Sequence, residues 1–444
     1  MEATAPSVED LLVDGLSFKL RQGASYITNR RSVTYYPHGG NQYSPTGVKV
    51  IKLMLTGSDW LDPSTLRMMF DLRNTDTNPA HLQYPISGPW CFFRRLRILC
   101  GGQMVEDIDY YNHVHELFHT LQPYEVRQND DIEGFGNGLY APATNSTDLN
   151  SGIPGGSSTT VGFKFLSGLL NQDKFLPIRY CPITIELELV NQFTDSVIAL
   201  NAESGVTQYK DNVSSTWQIE NVTVKADVVT LDNSLDNEYA QHLLEGKSLP
   251  ISYSSYVSQS LSLQTSGGIW TANVTRSFTR LKSLFLTTYN NTLPRVQNQA
   301  YSSDMARDWN YFWHPMATDA RYNPQNEMEL QIQVGSKLFP EYPVRTIKES
   351  FYQLRKCLGI HSSTWHSVNI KEENYRMCQF IFGMDTEKML AAGFTGLNTK
   401  AGDLMTVRAK CTPTDPSLLP SSLFVVLHSD QILNIRDTGV EVLE

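Results

Sequence analysis

The stretch that decides the fold runs from Pro89 to Pro123 and reads PWCFFRRLRILCGGQMVEDIDYYNHVHELFHTLQP. Its first part, 92–100, is apolar, aromatic and β-branched with interleaved arginines, a pattern typical of a half-buried strand. The Gly101-Gly102 pair tolerates positive φ at both central positions of a turn, so it predicts a tight hairpin to a second strand. Asn112 is then expected to cap a helix. The apolar residues of that helix recur at i, i+3, i+4 and i+7, and they are Val114, Leu117, Phe118 and Leu121.

The same order of strand, turn, strand and helix recurs in residues 329–359, ELQIQVGSKLFPEYPVRTIKESFYQLRKCLG. At a constant offset of 234, the strand residues Leu96, Ile98 and Cys100 match Leu330, Ile332 and Val334. If one residue is lost at the turn, the offset becomes 233, and Val114, Glu116, Phe118 and Leu121 match Ile347, Glu349, Phe351 and Leu354. The alternative is that any strand–turn–strand–helix unit aligns this way. We interpret the match as a tandem duplication of a unit of about half the chain.

The composition indicates a folded protein with little surface charge. The chain has 444 residues, which predicts two or three domains, and 41% of its residues are hydrophobic. Only 18% are charged, below the usual quarter, and charged residues are depleted at the cores of interfaces. The net charge of −10 argues against a nucleic-acid-binding protein, which needs a basic face.

Six cysteines occur, and none lies in a CxxC pair. They are Cys91, Cys100, Cys181, Cys357, Cys378 and Cys411. Several sit in apolar runs, which predicts buried free thiols in a reducing compartment. The sequence also shows no apolar core of a signal peptide and no apolar run long enough to cross a membrane.

Both halves of the chain consist of many short strands with one dominant helix each. Regular short strands without βαβ alternation predict antiparallel sandwiches, and about eight strands in about 200 residues fit a jelly roll. We therefore predict an all-β protein with two tandem eight-stranded jelly-roll sandwiches, at residues 25–232 and 233–444, and short helices in loops. The best boundary is the polar segment 232–246, which is expected to form a short helix ending at Gly246.

Residues 1–24 are predicted to be an N-terminal arm. Ser7 with Asp10 resembles a helix-capping box, and Leu11, Leu12 and Leu16 supply a short apolar face. Such a segment has too little apolar surface to fold alone, so it is expected to contact partners outside its own domain. The alternative is a disordered tail.

The sharpest enzyme signal is an HExxH motif at 115–119, with His115 and His119 on one helix face and Glu116 between them. This spacing can bind zinc with the glutamate as general base. A third ligand is missing, and His113 does not share the face. The equivalent helix of the second half keeps the glutamate but has no histidine. We therefore expect a packing helix, with the two histidines off its apolar stripe.

Two further groups could carry chemistry. Glu186 and Glu188 lie two apart on one strand face, roughly 7 Å by strand geometry, a separation that can serve glycoside hydrolysis. Arg94, Arg95 and Arg97 stand beside aromatic residues, as in nucleic-acid sites. We expect a solvent-facing strand or subunit contact for the glutamates. For the arginines we expect polar decoration of the strand, since only Arg95 and Arg97 share a face.

Several segments together resemble a known family. They are YSPTGVKVIKLMLTG, DWLDPSTLRMMFDLRN and FFRRLRILCGGQMVEDIDYYNHVHELF in the first half, and FTRLKSLFLTTYN, LQIQVGSKLFPEYPVRTIKESFYQL and FIFGMDTEKMLAAGFTGLNTKAGDLMTVRA in the second. In order and wording they resemble the double jelly-roll major capsid proteins of polinton-like viruses and their virophage and polinton relatives. The resemblance covers nearly the whole chain. It rests on the order and residue pattern of the segments, since the family has no catalytic signature to match.

The resemblance implies a structural protein and not an enzyme. Three subunits with two jelly rolls each would form a pseudo-hexameric capsomer that tiles an icosahedral shell around double-stranded DNA. It implies contacts with neighbouring capsomers, penton proteins and minor capsid proteins, synthesis inside the host cell and a place in the virion. It implies no catalytic, cofactor-binding or metal-binding residues and no sequence-specific nucleic-acid binding. The alternatives are a zinc-dependent hydrolase using residues 115–119, and a tandem β-sandwich spike that binds a receptor or carbohydrate.

Overall fold

The computed structural model describes residues 26–83, 85, 87–135, 152–197, 214–289, 328–360, 368–372, 375, 379–387, 396–400, 404–411 and 419–443. The predicted arm at 1–24 and Cys378 lie outside these residues. Within them, antiparallel strands dominate.

The first half forms a sandwich of two antiparallel sheets. Its strands are β1 (Ile27–Tyr35), β2 (Gln42–Tyr43), β3 (Val50–Leu55), β4 (Trp60–Asn74), β5 (Leu82–Gln83), β6 (Phe93–Cys100), β7 (Gln103–Ile108), β8 (Ile153–Pro154), β9 (Ser158–Phe163), β10 (Ile183–Leu189) and β11 (Trp217–Leu231). One sheet has the order β1-β11-β4-β9, with β2 added on β11, and the other has the order β3-β10-β6-β7. Strands β5 and β8 pair separately.

The second half repeats this arrangement. Its strands are β12 (Leu249–Ser262), β13 (Ile269–Val274), β14 (Leu281–Tyr289), β15 (Glu329–Val334), β16 (Lys337–Val344), β17 (Phe382–Asp385), β18 (Met405–Lys410), β19 (Ser422–Arg436) and β20 (Gly439–Leu443). The sheet orders are β12-β19-β14-β17, with β20 added on β19, and β13-β18-β15-β16. Strand for strand, these orders match those of the first half, and they confirm two jelly-roll sandwiches.

Short helices fill the connections. The α-helices are α1 (Tyr111–Thr120), α2 (Tyr124–Glu133), α3 (Asn233–Leu244) and α4 (Ile347–Cys357), and the 3₁₀ helices are Pro89–Phe92, Leu169–Asn171, Phe193–Asp195 and Ser266–Gly268. Helix α3 joins the two sandwiches, and Asp232 caps it by accepting a hydrogen bond from the Ser234 N–H. The helix at this position was predicted. The domain limits at 25–232 and 233–444 stay a prediction.

Alternating hydrophobicity positions the strands. Strand β10 reads ITIELEL, and its Ile and Leu residues are buried while the residues between them are half-buried. The buried apolar side chains of both halves form one continuous cluster that fills both sandwiches and the space between them. The fold therefore follows from period-two patterns whose apolar faces meet in one core.

The organising hairpin is confirmed with two corrections. Gly101 and Gly102 have φ of 55° and 86°, as a two-residue turn with positive φ requires. The equivalent turn between β15 and β16 also has two residues, so the one-residue offset change does not occur at the turn. Asn112 is not the cap: α1 begins at Tyr111, after Tyr110 in the left-handed conformation with φ of 47°.

Candidate functional site between the two sandwiches

Helix α1 holds the HExxH residues against Trp90. The imidazole of His115 stacks on the Trp90 ring at 4.1 Å between centroids, and His119 packs against the same ring at 4.6 Å. The indole N–H of Trp90 donates to Glu116 Oε2 at 2.9 Å, and His115 Nε2 lies 3.1 Å from the Lys164 carbonyl oxygen. The Trp90 ring thus packs against both histidine rings while its N–H engages the glutamate of the motif.

Burial changes the protonation of both histidines. It lowers the pKa of His115 to about 4 and the pKa of His119 well below its usual value. The expectation that these side chains lie off the packed face is therefore wrong. His119 is 6% exposed and packs on Trp90, because the 3₁₀ helix that carries Trp90 folds beneath α1.

A cleft of about 310 Å³ opens beside this cluster, between α1, α2 and the segment after β9. His119 Nε2 lies 3.7 Å from the Asp130 carboxylate on α2, while Arg67 pairs with Glu133 at 3.3 Å. Among the residues that the structure describes, no group of three or more His, Cys, Asp or Glu side chains is arranged to hold a metal ion. The cleft lies where α2 contacts the first sandwich through the Arg67–Glu133 pair.

The opposite side of α1 contacts the second sandwich. The Phe118 ring packs against Tyr256 at 4.9 Å and Phe285 at 5.1 Å, and His113 Nδ1 lies 2.8 Å from the Tyr289 hydroxyl. We call this surface, formed by β7, α1 and residues 165–168 against β12, β14 and β19, the junction. A helix predicted from its own amphipathic pattern thus buries two faces, one in each half of the molecule.

Polar contacts fix the junction further. The Tyr253 hydroxyl donates to the Val105 carbonyl oxygen at 3.1 Å and lies 2.6 Å from Gln431 Oε1. Beside it, Gly168 lies so close to Ser254 that an added Cβ would stand 1.5 Å from the Ser254 carbonyl oxygen. Buried hydrogen bonds and such close backbone contact set the orientation of one sandwich on the other.

Glu106 is the buried carboxyl group at this junction. Its carboxylate accepts hydrogen bonds from the Ser167 hydroxyl and, at 2.9 Å, from the Gly168 N–H. Burial raises the pKa of Glu106 to about 7, although the hydrogen bonds from Ser167, Gly168 and Leu169 oppose the shift. Residues 167–168, which donate hydrogen bonds to Glu106, belong to the segment that contacts β12. The Glu106 carboxyl group therefore helps to position this side of the junction.

Except for Arg94, the other predicted residues lie together on the outer face of the sheet β3-β10-β6-β7. Glu186 lies opposite Lys52 and Arg97 and pairs with both, at 3.1 and 3.3 Å, while Arg95 forms two 2.7 Å hydrogen bonds with Asp107. Arg94 lies apart, over the Tyr110 ring. Glu186 is engaged in these ion pairs on a sheet face. The arrangement is that of a charged sheet surface.

Sequence reasoning missed Trp90, Glu106 and Tyr253. The burial of Glu106 could not be predicted from the strand pattern. The register shifts between Ile98, which pairs with Glu106, and Leu99, and as a result both Val105 and Glu106 are buried. A strict alternation would have placed one of the two outside. Trp90 lay within the quoted stretch, but only its tertiary position connects it to the histidines.

Comparison with known proteins identifies the fold family to which the two sandwiches are similar. No family model and no curated protein matches the chain. Among solved structures, PBCV-1 VP54, fitted into a reconstruction of the virophage Sputnik, aligns with 96% of this chain and 98% of its own at 12% identity and a TM-score of 0.62. A chain of the Sputnik virophage structure aligns over 100% and 93% at 9% identity and a TM-score of 0.58.

The Faustovirus major capsid protein aligns with 98% of this chain and 95% of its own, at 9% identity and a TM-score of 0.57. Each alignment spans both sandwiches and the junction. At these identities the likeness concerns the fold. The chain therefore has the double jelly-roll fold, with the same arrangement over nearly its full length as these viral proteins.

Proposed function

We propose that this protein is the major capsid protein of a double-stranded DNA virus and that it has no enzymatic activity. The observation that carries the proposal is the repetition of one strand order in both halves. Two similar sandwiches in a fixed mutual orientation give each chain two similar units, and three chains then supply six units around one axis. Such a homotrimer is a pseudo-hexameric capsomer that can tile an icosahedral shell.

The outer face of the sheet β3-β10-β6-β7 supports this proposal as a contact surface. The cations Lys52, Arg95 and Arg97 on this face are paired within the sheet with Glu186 and Asp107. A neighbouring row across the four strands is Met54, Thr184, Leu99 and Met104, of which Met54 is 38% and Met104 39% exposed. Internally paired charges beside exposed apolar side chains match the composition of protein interfaces.

The remaining partners follow from this role. Neighbouring capsomers, penton proteins and minor capsid proteins would contact the trimer, and the arm at 1–24 would reach them from the capsomer base. The protein would be made inside the host cell and reside in the virion. None of the described helices is long and apolar enough to cross a membrane. No residue of the chain would serve catalysis, a cofactor, a metal ion or sequence-specific recognition of nucleic acid.

The test is the mass and shape of the purified full chain. We expect light scattering at micromolar concentration to give three times the mass of one chain, and electron microscopy to show particles with a hexagonal outline. The trimer should persist when a chelator is added, since no metal holds it. A monomer at this concentration would contradict the proposal, and so would hydrolytic activity that the chelator abolishes.

A further inference from the structure

A concave surface lies on the first sandwich, close to where β1 ends and β11 begins. Its volume is about 540 Å³, which is in the range of small-molecule sites. None of the residues that line it has a charged side chain. They are Tyr36, Pro37, Gly39, Gly40, Asn41, Asn221, Val222 and Thr223. Aromatic and aliphatic groups therefore stand beside amide and hydroxyl groups, and the lining supplies no charge that would attract an ion.

A β-bulge directs Asn221 to this surface. Opposite residues 69–71 of β4, β11 holds one extra residue between Glu220 and Thr223. Asn221 adopts the left-handed conformation there, with φ of 51°, and it is exposed while Val222 beside it is buried. Left-handed backbone is uncommon outside glycine, and such conformations are concentrated at functional sites. The bulge thus marks this end of β11 as a place to look for a ligand.

Hydrogen bonds fix the polar side chains of the surface. Asn41 Nδ2 donates to Asn221 Oδ1 at 2.8 Å, and Asn41 Oδ1 accepts from the Asn221 N–H at 3.1 Å. Asn221 Nδ2 in turn donates to the Asp71 carboxylate at 2.7 Å. The hydroxyl of buried Tyr43 donates to the Gly40 carbonyl oxygen at 2.7 Å, which ties down the loop before β2. Side chains held in this way lose little conformational entropy when a ligand binds.

Tyr36 supplies the aromatic part of the surface. It directly follows the last residue of β1, and it is 69% exposed. An exposed tyrosine ring combines a flat apolar face with a hydroxyl group at its edge. A sugar ring has the matching character, because its C–H groups form an apolar face while its hydroxyl groups both donate and accept hydrogen bonds. Carboxamides such as those of Asn41 and Asn221 also donate and accept.

We propose that this surface binds a neutral saccharide, with one sugar ring on Tyr36 and adjacent hydroxyl groups at the carboxamides of Asn41 and Asn221. Each carboxamide uses one N–H in the hydrogen bonds described above and keeps the second for a sugar hydroxyl. Anionic sugars are disfavoured, since the lining has no cation and the Asp71 carboxylate lies next to Asn221. The site belongs to one sandwich and does not depend on the proposed capsid function.

The experiment applies the purified full chain to immobilised neutral oligosaccharides of glucose, galactose, mannose and N-acetylglucosamine, with sialylated and sulfated saccharides on the same surface. We expect binding to at least one neutral saccharide. Tyr36→Ala should weaken that binding about tenfold, because the aromatic face is lost. Asn221→Gly should weaken it about tenfold as well, because glycine accepts the left-handed backbone but lacks the carboxamide.

Tyr26→Ala is the matched control, because Tyr26 is 58% exposed and directly precedes the first residue of β1, at the other end of the strand. It should bind the saccharide with wild-type affinity. Calorimetry should give both tyrosine variants a melting temperature close to that of the wild type, since both side chains are exposed. The proposal is wrong if no neutral saccharide binds, if only the acidic saccharides bind, or if Tyr36→Ala binds as tightly as Tyr26→Ala.

Discussion

Glu106 links the protonation of one buried carboxyl group to the contact between the two sandwiches. A carboxyl group without solvent contact favours its neutral form, and here the neutral form still accepts from Ser167 and Gly168. The unfolded chain has an ordinary carboxyl group instead. Glu106 therefore makes the stability of the protein depend on pH near neutrality.

The direction follows from the raised pKa. Since the folded protein holds the Glu106 proton more tightly than the unfolded chain, its contribution is complete below the unfolded value of 4.5. It is lost as pH rises through about 7. Glu106→Gln imitates the neutral form, so its unfolding free energy should fall less than that of the wild type between pH 5 and pH 8. The two curves should diverge by about 2–3 kcal/mol, as measured by denaturant unfolding at each pH.

The matched control is Glu188→Gln, the same chemical change on the outer face of the sheet. A divergence from the wild-type curve that appears equally in Glu188→Gln would belong to the exchange of any glutamate for glutamine and would contradict a specific role of Glu106. Parallel curves for the wild type and Glu106→Gln would show that Glu106 does not titrate in this window.

At the scale of elements, the sequence predicted the strands and turns that local residue patterns determine. Strand β10 and the Gly101-Gly102 turn fall where period-two alternation and positive φ require them. The 233 offset places buried Leu117 on buried Ser350, and Leu121 on Leu354, so the helix faces also match. Contacts between distant segments could not be predicted, because neither the helical period nor the spacing of residues along the chain encodes the position of Trp90 under α1.

The same glutamate has different roles in the two equivalent helices. In α4, Glu349 completes a capping box with Thr346, whereas Glu116 of α1 accepts the Trp90 indole N–H. Helix α1 lacks such a cap and begins after Tyr110 in a strained conformation. Its stability therefore depends more on tertiary packing than that of α4.

Phe118→Ala tests that packing across the junction. The change removes the ring that lies between Tyr256 and Phe285, so we expect a loss of about 2–3 kcal/mol of unfolding free energy, less than for a fully buried ring because Phe118 is only partly buried. Since those partners belong to the second sandwich, calorimetry should show the single transition splitting into two.

Phe351→Ala is the control at the equivalent position of α4. Its ring packs on Tyr375 within the second sandwich, so this variant should lose stability while the two sandwiches still unfold together. Splitting in both variants, or in neither, would contradict the role of α1 as the connection between the halves.

For the whole molecule, the orientation of the two sandwiches determines whether three chains can approximate six equal units. That orientation depends on backbone contact at Gly168, where β12 passes directly over the glycine. No side-chain rotation relieves a clash there, because the atom that a Cβ would meet is the Ser254 carbonyl oxygen. The close approach alone explains why this position is a glycine, since its φ of −69° is one that every residue type can adopt.

Gly168→Ala should therefore move the sandwiches apart or rotate them. We expect a loss of about 1–3 kcal/mol from overpacking and, if three chains form the capsomer, fewer trimers by light scattering than the loss of stability alone explains. Gly40→Ala is the matched control, because an added Cβ there meets its nearest neighbour, the Gln42 carbonyl oxygen, only at 4.0 Å. Trimers in wild-type yield from Gly168→Ala, with unchanged melting, would mean that the junction tolerates a shift of this size and that other contacts set the orientation. A folded Gly168→Ala chain that stays monomeric, beside a trimeric Gly40→Ala chain, is the result that links the geometry of one residue to the symmetry of the assembly.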